Sequence, residues 1–458
     1  MSHRDPKIAA VRLNASCLKA ALKWLLANVD WSTVNLRKDC TWTPRLLTAG
    51  ALLWAWSDEL TLVERFWSAR RLIVHLFAPP DSLAESYQCF TKLLRRWTDP
   101  LIQCVQTALR RRLQQELAGH WSVLGTVMFA IDGSRCELPR TRSHEQAFSS
   151  TRHRKRKTPR RGKRRRPADA RKANSPQLWL TTMYHVGTGL PWDWRIGPAD
   201  SSERAHLLEM LPQLPAGALI TADAGFVGYQ YLRAICDSQR DCLIRVGSNV
   251  RLLKQLGCVR ETNGTVYLWP DQAARRSQPP LVLRLVVAHN GRHPVFLVTN
   301  VLSQTRLSDN QVVELYARRW GIELFYRHLK QTFQRRKLRS TSARNAVLEL
   351  QWSLAGLWAM ALYALVQFQR AGLPPQRLSI AKMLRAFRRM LRDYLHPRIR
   401  RHSLHERLLT ALIDPYQRTS KASRDYPRKK HERPPGPPRI QKATAAQRHT
   451  AQALIEKG

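Results

Sequence analysis

The chain has 458 residues, with 77 Lys and Arg against 33 Asp and Glu, a formal net charge of +44. That length accommodates two or three domains with a sizeable core, and a hydrophobic content of 43% excludes a largely disordered chain. The charge predicts a polyanionic partner, nucleic acid before an anionic membrane, bound in a salt-dependent way. Eight cysteines without a C-x-x-C pair argue against a zinc ribbon or a secreted disulfide framework, and a reduced cytoplasm is the simplest setting.

Residues 1–120 read as a helical N-terminal region. The start, MSHRDPKIAA, lacks the apolar centre of a signal peptide. Apolar residues recur at helical spacing through WTPRLLTAGALLWAWSDELTLVERFWSARRLIVHLF, Pro79-Pro80 breaks the run, and a second helical run follows from about Tyr87 to Leu117. Trp54, Trp56, Phe66 and Trp67 read as core residues.

The texture changes over 121–247. VMFAID is a buried strand stopped by Gly133, LWLTTMYHV and LPWDWRIG flank Gly187-Thr188-Gly189 as a hairpin, and SERAHLLEMLPQL starts a helix at about Ser202. ALITAD is a second buried strand ending in an acid beside a Gly-containing turn, followed by a helix from about Tyr229 to Ser238 and the strand CLIRVG. This order predicts a mixed α/β sheet. Between its first strand and hairpin lies a basic loop, 151–175. Its segment TRHRKRKTPRRGKRRRPADARK carries 13 Lys or Arg in 22 residues; self-repulsion keeps such a run open, and it suits a DNA backbone more than it serves solubility.

Residues 248–305 read as an all-β insertion, with Asn263-Gly264 and Asn290-Gly291 as hairpin turns between VYLW, LVLRLVVAH and PVFLVTN. Residues 306–395 read as a helical part that completes the core, opened by the capping pattern Ser308-Asp309-Asn310-Gln311. Its most apolar run, Trp352 to Phe368, is short for a bilayer span and contains Ser353 and Gln367, so it reads as a buried core helix and not a membrane span. Residues 396–458 form a basic, Pro-rich tail, disordered or extended from about Tyr416.

The stretch YARRWGIELFYRHLK, Tyr316 to Lys330, keeps one carboxylate among its cations. On an ideal helix with Tyr316 at 0°, Arg319 falls at about 300°, Glu323 at about 340° and Lys330 at about 320°, a single polar strip. Leu315, Ile322, Phe325 and Leu329 form an apolar strip at about 180–260°, suited to docking on a sheet. One carboxylate does not hold two hard cations. Asp132 and Asp223, at the ends of apolar strands, are its natural companions for two-metal phosphoryl transfer.

These residues carry a resemblance. Y-x2-R-x3-E-x6-K, at Tyr316, Arg319, Glu323 and Lys330, resembles the YREK signature of DDE transposases of the insertion-sequence-4 type, and AIDGSRCELP followed by HEQAF, together with TADAGF, is similar to that family's two Asp motifs. The resemblance runs from about Leu124 to Arg370 and implies an RNase H-like core interrupted by the β insertion. It implies that Asp132, Asp223 and Glu323 are the catalytic, Mg²⁺- or Mn²⁺-binding triad. Tyr316 and Arg319 would hold a phosphate near the transposon end, and Lys330 would contact DNA beside the cleavage point. It further implies double-stranded DNA partners (terminal inverted repeats and target DNA), a homodimeric synapse, cut-and-paste transposition, and a cytoplasmic, nucleoid-associated location with no membrane. The N-terminal helices are, by analogy, an accessory DNA-binding region. Family members often stack a flipped base on a Trp of the β insertion; here Phe296 and Trp269 are the rings available, both read as core, and Trp320 reads as packing. The competing readings are an RNase H-like nuclease without strand joining and an inactive DNA-binding remnant.

Overall fold

The computed structural model describes residues 17–37, 39–79, 82–149, 175–289, 293–393, 403–414 and 436–455. The basic segment at 151–172 and the Asn290-Gly291 pair lie outside them. The N-terminal region is helical: α1 (17–26), α2 (Pro44–Trp56), α3 (Leu62–Phe77) and α4 (Tyr87–Glu116). Thr43, Thr61 and Ser86 cap the last three by accepting a backbone N–H, and Thr61 forms a reciprocal box with Glu64. Trp54, Trp56 and Phe66 are buried as expected, whereas Trp67 stands at the rim, 39% exposed.

The strands β1 (Met128–Glu137), β2 (Gln177–His185), β3 (Leu190–Pro198), β4 (Leu219–Ala222) and β5 (Asp241–Val246) lie in the order 3-2-1-4-5. β1, β2 and β3 pair antiparallel, while β1, β4 and β5 run parallel. This is the RNase H-like arrangement. α5 (Arg142–Phe148) follows β1, α6 (Glu203–Met210) packs against β1, β2 and β3, and α7 (Tyr229–Asp237) against β5.

The insertion supplies β6 (Arg251–Lys254), β7 (Thr265–Leu268), β8 (Leu281–His289) and β9 (Pro294–Thr299), with one short helix, α8 (Asp271–Arg275), that the alternation of the sequence did not disclose. β9 pairs antiparallel with β5, so the insertion extends the same sheet. Trp269 is buried with its indole N–H on Gln278 O at 2.8 Å, and Phe296 is half-buried against the core.

α9 (Asp309–Arg318) opens with the expected reciprocal cap between Ser308 and Gln311. Its Val312 and Leu315 meet Met128, Leu219, Leu243 and Leu297 on the sheet, while the strand neighbours Phe129, Ile220, Ile244 and Val298 enter the larger core. α11 (Ala343–Arg370) holds the Trp352–Phe368 run and is the helical centre of that core. The Trp56 indole N–H donates to Gly356 O at 2.9 Å, and the Trp352 indole N–H donates to Thr98 Oγ1 at 2.9 Å. A Cβ at Gly356 would stand 3.0 Å from Trp56 Nε1, so glycine permits this approach. Among the described residues, no helix is long and apolar enough to cross a membrane.

Most of the Pro-rich run expected to be disordered or extended, 415–435, lies outside the described residues, and beyond it the chain forms an edge strand and then a helix not expected of the tail. After α12 (Ile380–Asp393) and α13 (Leu404–Leu409), β10 (Arg439–Lys442) pairs parallel with β6 at the sheet edge, and α14 (Ala445–Ile455) follows. An edge strand offers unpaired N–H and C=O groups, and backbone pairing satisfies them without apolar side chains. All four side chains of β10 are exposed.

Candidate active site

β1 does not stop at Asp132, as its apolar run implied. It continues through Gly133 to Glu137, and Asp132 lies mid-strand opposite Thr182. What ends there is the parallel pairing: Ala130 faces Thr221 in the last β1–β4 pair, and Asp132 and Asp223 each lie two residues beyond it. Equal offsets in a parallel pair bring the two acids to the same level. Asp223 caps the single 3₁₀ turn Ala224–Phe226, and its Oδ1 accepts the Gly225 N–H at 2.8 Å. Asp132 Oδ1 accepts the Gly133 N–H at 2.9 Å.

The Tyr316–Lys330 stretch is not one straight helix. α9 closes at Arg319, α10 (Gly321–Arg327) follows, and His328–Thr332 forms a π-helical turn. The polar strip nonetheless converges. Arg319 Nη2 donates to Glu323 Oε1 at 3.0 Å, and its guanidinium carbon stands 5.6 Å from the Tyr316 ring centre. Lys330 Nζ donates to Ser134 Oγ at 2.6 Å, two residues beyond Asp132 and thus on the same face of β1. Ile322, Phe325 and Leu329 are buried in the main core, while Leu315 belongs to the cluster under α9. Trp320 is 58% exposed, not packed. At about 40° on the wheel it belongs to neither the apolar strip nor the sheet.

Two residues missed by the sequence reading shape this region. Tyr326 is buried, its hydroxyl donating to Asp132 O at 2.6 Å and accepting the Thr182 N–H at 3.1 Å. It ties α10, which carries Glu323, to the β1–β2 pair at Asp132. Its angle, about 280°, borders the apolar strip and was the one available signal. The second is Glu203, capped by Ser202 at the start of α6. A Cβ on Gly133 would meet Glu203 Oε1 at 2.0 Å and Trp179 Cζ2 at 2.7 Å, so the glycine leaves the room that this carboxylate occupies.

The electrostatics are those of an acidic cluster in a basic chain. Burial, reinforced by Asp223 and Glu323, pushes the Asp132 carboxyl up to about 6 against the Gly133 hydrogen bond and Arg319. Burial opposes the Arg319 charge, yet Tyr316, Asp132 and Glu323 together push its pKa up, and its Nε has no hydrogen-bond partner among the described residues. Burial lowers the Lys330 ammonium. Asp132, Asp223 and Glu323 offer hard oxygen donors suited to a divalent cation, while the space over Gly133 beside Asp132 is filled by the Glu203 carboxylate and Trp179. As they stand, no three His, Cys, Asp or Glu side chains among the described residues are grouped to hold an ion. Glu323 is instead engaged by Arg319.

A sequence model of the family described as Transposase DDE domain matches residues 125–358, just over half of the chain. The chain is 25% identical over 288 residues to "Transposase InsG for insertion sequence element IS4" of Escherichia coli (strain K12), an alignment covering 59% of this chain and 60% of that protein. Among solved structures it is similar to a cryo-EM structure of the piggyBac transposase synaptic complex with hairpin DNA, at 13% identity and a TM-score of 0.39, covering 92% of this chain and 88% of that one.

Proposed function

Because the chain belongs to the DDE transposases, we propose that it serves an insertion sequence by cutting DNA at the element's ends and transferring the freed ends to a target, in cut-and-paste transposition. The observation that supports this reading is that Asp132, on β1, feels the charges of both Asp223, just after β4, and Glu323, on α10. In this reading Asp132, Asp223 and Glu323 hold magnesium or manganese, which when bound activates water or a 3′-hydroxyl and neutralises charge at phosphorus.

The chain's own side chains do the rest. Arg319 is a planar fork with one donor engaged by Glu323 and its Nε unpartnered, an arrangement suited to a phosphate oxygen. Tyr316 lies against that guanidinium and restricts its swing. Lys330, held at Ser134, offers a point charge on the face of β1 that presents Asp132. Tyr326 holds α10 and β1 in register, so the Glu323 and Asp132 carboxylates keep their relative position. The partners in this proposal are double-stranded DNA carrying terminal inverted repeats, target DNA, and a second copy of the chain in the synapse. The N-terminal helices and the basic run at 151–172 supply backbone contacts that position the DNA without reading its sequence.

Joining separates this reading from that of a plain nuclease. Labelled end DNA with a free 3′-hydroxyl, incubated with the protein, target plasmid and Mg²⁺, is expected to become covalently attached to the target. Cleavage of intact ends with no joined product would leave only a nuclease.

A further inference from the structure

We infer that Thr182 is a positioning residue for the proposed reaction: its hydroxyl donates to the Asp132 carboxylate and sets the direction in which that acid faces the scissile phosphate. The inference rests on the triad reading above and adds a residue outside the signature. Thr182 is fully buried, and among the described residues its Oγ1 has no hydrogen-bond partner. A buried hydroxyl left unpaired destabilises a fold, and a valine of the same shape would not. The neighbouring Thr181 has no such deficit, because its Oγ1 bonds His206 Nδ1 at 2.8 Å on the opposite face of the sheet.

The β1–β2 ladder puts the Thr182 hydroxyl where a carboxylate can use it. Thr182 lies directly opposite Asp132 in the antiparallel pair. The two side chains therefore stand on one face, with Cβ atoms about 4.5–5.5 Å apart. Both side chains reach beyond Cβ, so a change of rotamer is enough to close a hydrogen bond across that gap. The backbones beneath them are pinned by one phenol: the Tyr326 hydroxyl accepts the Thr182 N–H at 3.1 Å and donates to Asp132 O at 2.6 Å. The freedom that remains lies in the side chains.

Asp132 Oδ1 accepts the Gly133 N–H at 2.9 Å, a donor from its own strand. Thr182 supplies a donor from the neighbouring strand. Donors on two sides fix the plane of a carboxylate, where one leaves it free to turn, and acids that act on a metal or phosphate depend on such outer hydrogen bonds. Thr221 provides the comparison within the same sheet. It is equally buried with an unpartnered Oγ1, but it stands opposite Ala130 and not opposite an acid.

The test is cleavage of the element's end DNA by the full-length protein in Mg²⁺, with the rate at saturating protein and the affinity for end DNA measured separately, beside the melting midpoint of each variant. Thr182→Val keeps the shape of the side chain and removes the hydroxyl. It is expected to slow cleavage roughly 10-fold or more, to bind end DNA like wild type, and to melt no lower than wild type. Thr182→Ser, which keeps the hydroxyl, is expected to recover most of the rate, and Thr221→Val to cleave like wild type. A Thr182→Val protein that cleaves at the wild-type rate overturns the role of Thr182. So does a loss that serine fails to restore, or an equal loss in Thr221→Val, since either traces the effect to packing of the sheet. Asp132→Asn is the reference. If it is inactive while Thr182→Val is fully active, Thr182 falls and the triad stands; if Asp132→Asn also cleaves like wild type, the triad falls and Thr182 with it.

Discussion

Asp132 is a carboxyl whose charge is finely balanced. A carboxyl pushed from its ordinary 3.8 up to about 6 by burial and by neighbouring acids keeps its proton in the folded chain after the unfolded chain has lost it. Stability is therefore fully present below about pH 4 and lost as pH rises toward about 6. Two units correspond to at most about 3 kcal/mol, reduced by the water that reaches a half-buried group. We predict that Asp132→Asn raises the melting midpoint of the metal-free protein at pH 8 by a few degrees and leaves it nearly unchanged at pH 4. A variant melting below wild type at pH 8 would show that the carboxylate is stabilised by its surroundings. The four signature residues were legible in the sequence by their spacing, and the two Asp residues, which the fold sets at equal offsets beyond the β1–β4 pairing, by their place at the ends of apolar runs. Glu203 was not, since a Glu after a capping Ser is what any helix start prefers, and only the tertiary fold shows it crossing Gly133.

Among the elements, α10 carries the site's precision. A uniform 100° step placed Tyr316, Arg319, Glu323 and Lys330 on one strip, but it took Leu315 to Leu329 as one docking face. The junction at Arg319–Trp320 and the π turn at His328–Thr332 divide that face between two clusters on the sheet. Single π turns widen a helix locally and re-aim a side chain; here Lys330 is turned to Ser134. Tyr326 locks the arrangement through Asp132 O and the Thr182 N–H. Tyr326→Phe leaves that buried N–H without its partner. We predict a loss of about 1–3 kcal/mol in stability, measured by denaturant unfolding, together with slower cleavage of end DNA. Wild-type stability would mean that a neighbouring acceptor takes over the N–H.

At the scale of the whole molecule, the 3-2-1-4-5 strand order is a property of the fold, while the core strands and a mixed sheet followed from buried runs and turn residues that are local in the chain. The pairing of β10 with β6 did not, because RIQK carries no apolar alternation and its partner lies far back in the sequence. The N-terminal helices could be recognised as helices, but the dependence of their packing on Gly356 and Arg335 is written only in tertiary contacts: Arg335 Nη2 reaches Ala55 O at 3.0 Å. This sheet-and-helix frame sets Asp132 near Asp223, Glu323 and Arg319, with Lys330 on the same strand face, where in the proposed reading a phosphodiester would meet metal ions and positive side chains together. The direct measurement is cleavage of the element's own end DNA in Mg²⁺ by Asp132→Asn, Asp223→Asn and Glu323→Gln, with DNA binding measured in parallel. Each variant is predicted to bind end DNA like wild type and to cleave it roughly 100-fold more slowly or worse; a Glu323→Gln protein that cuts at the wild-type rate would contradict the account.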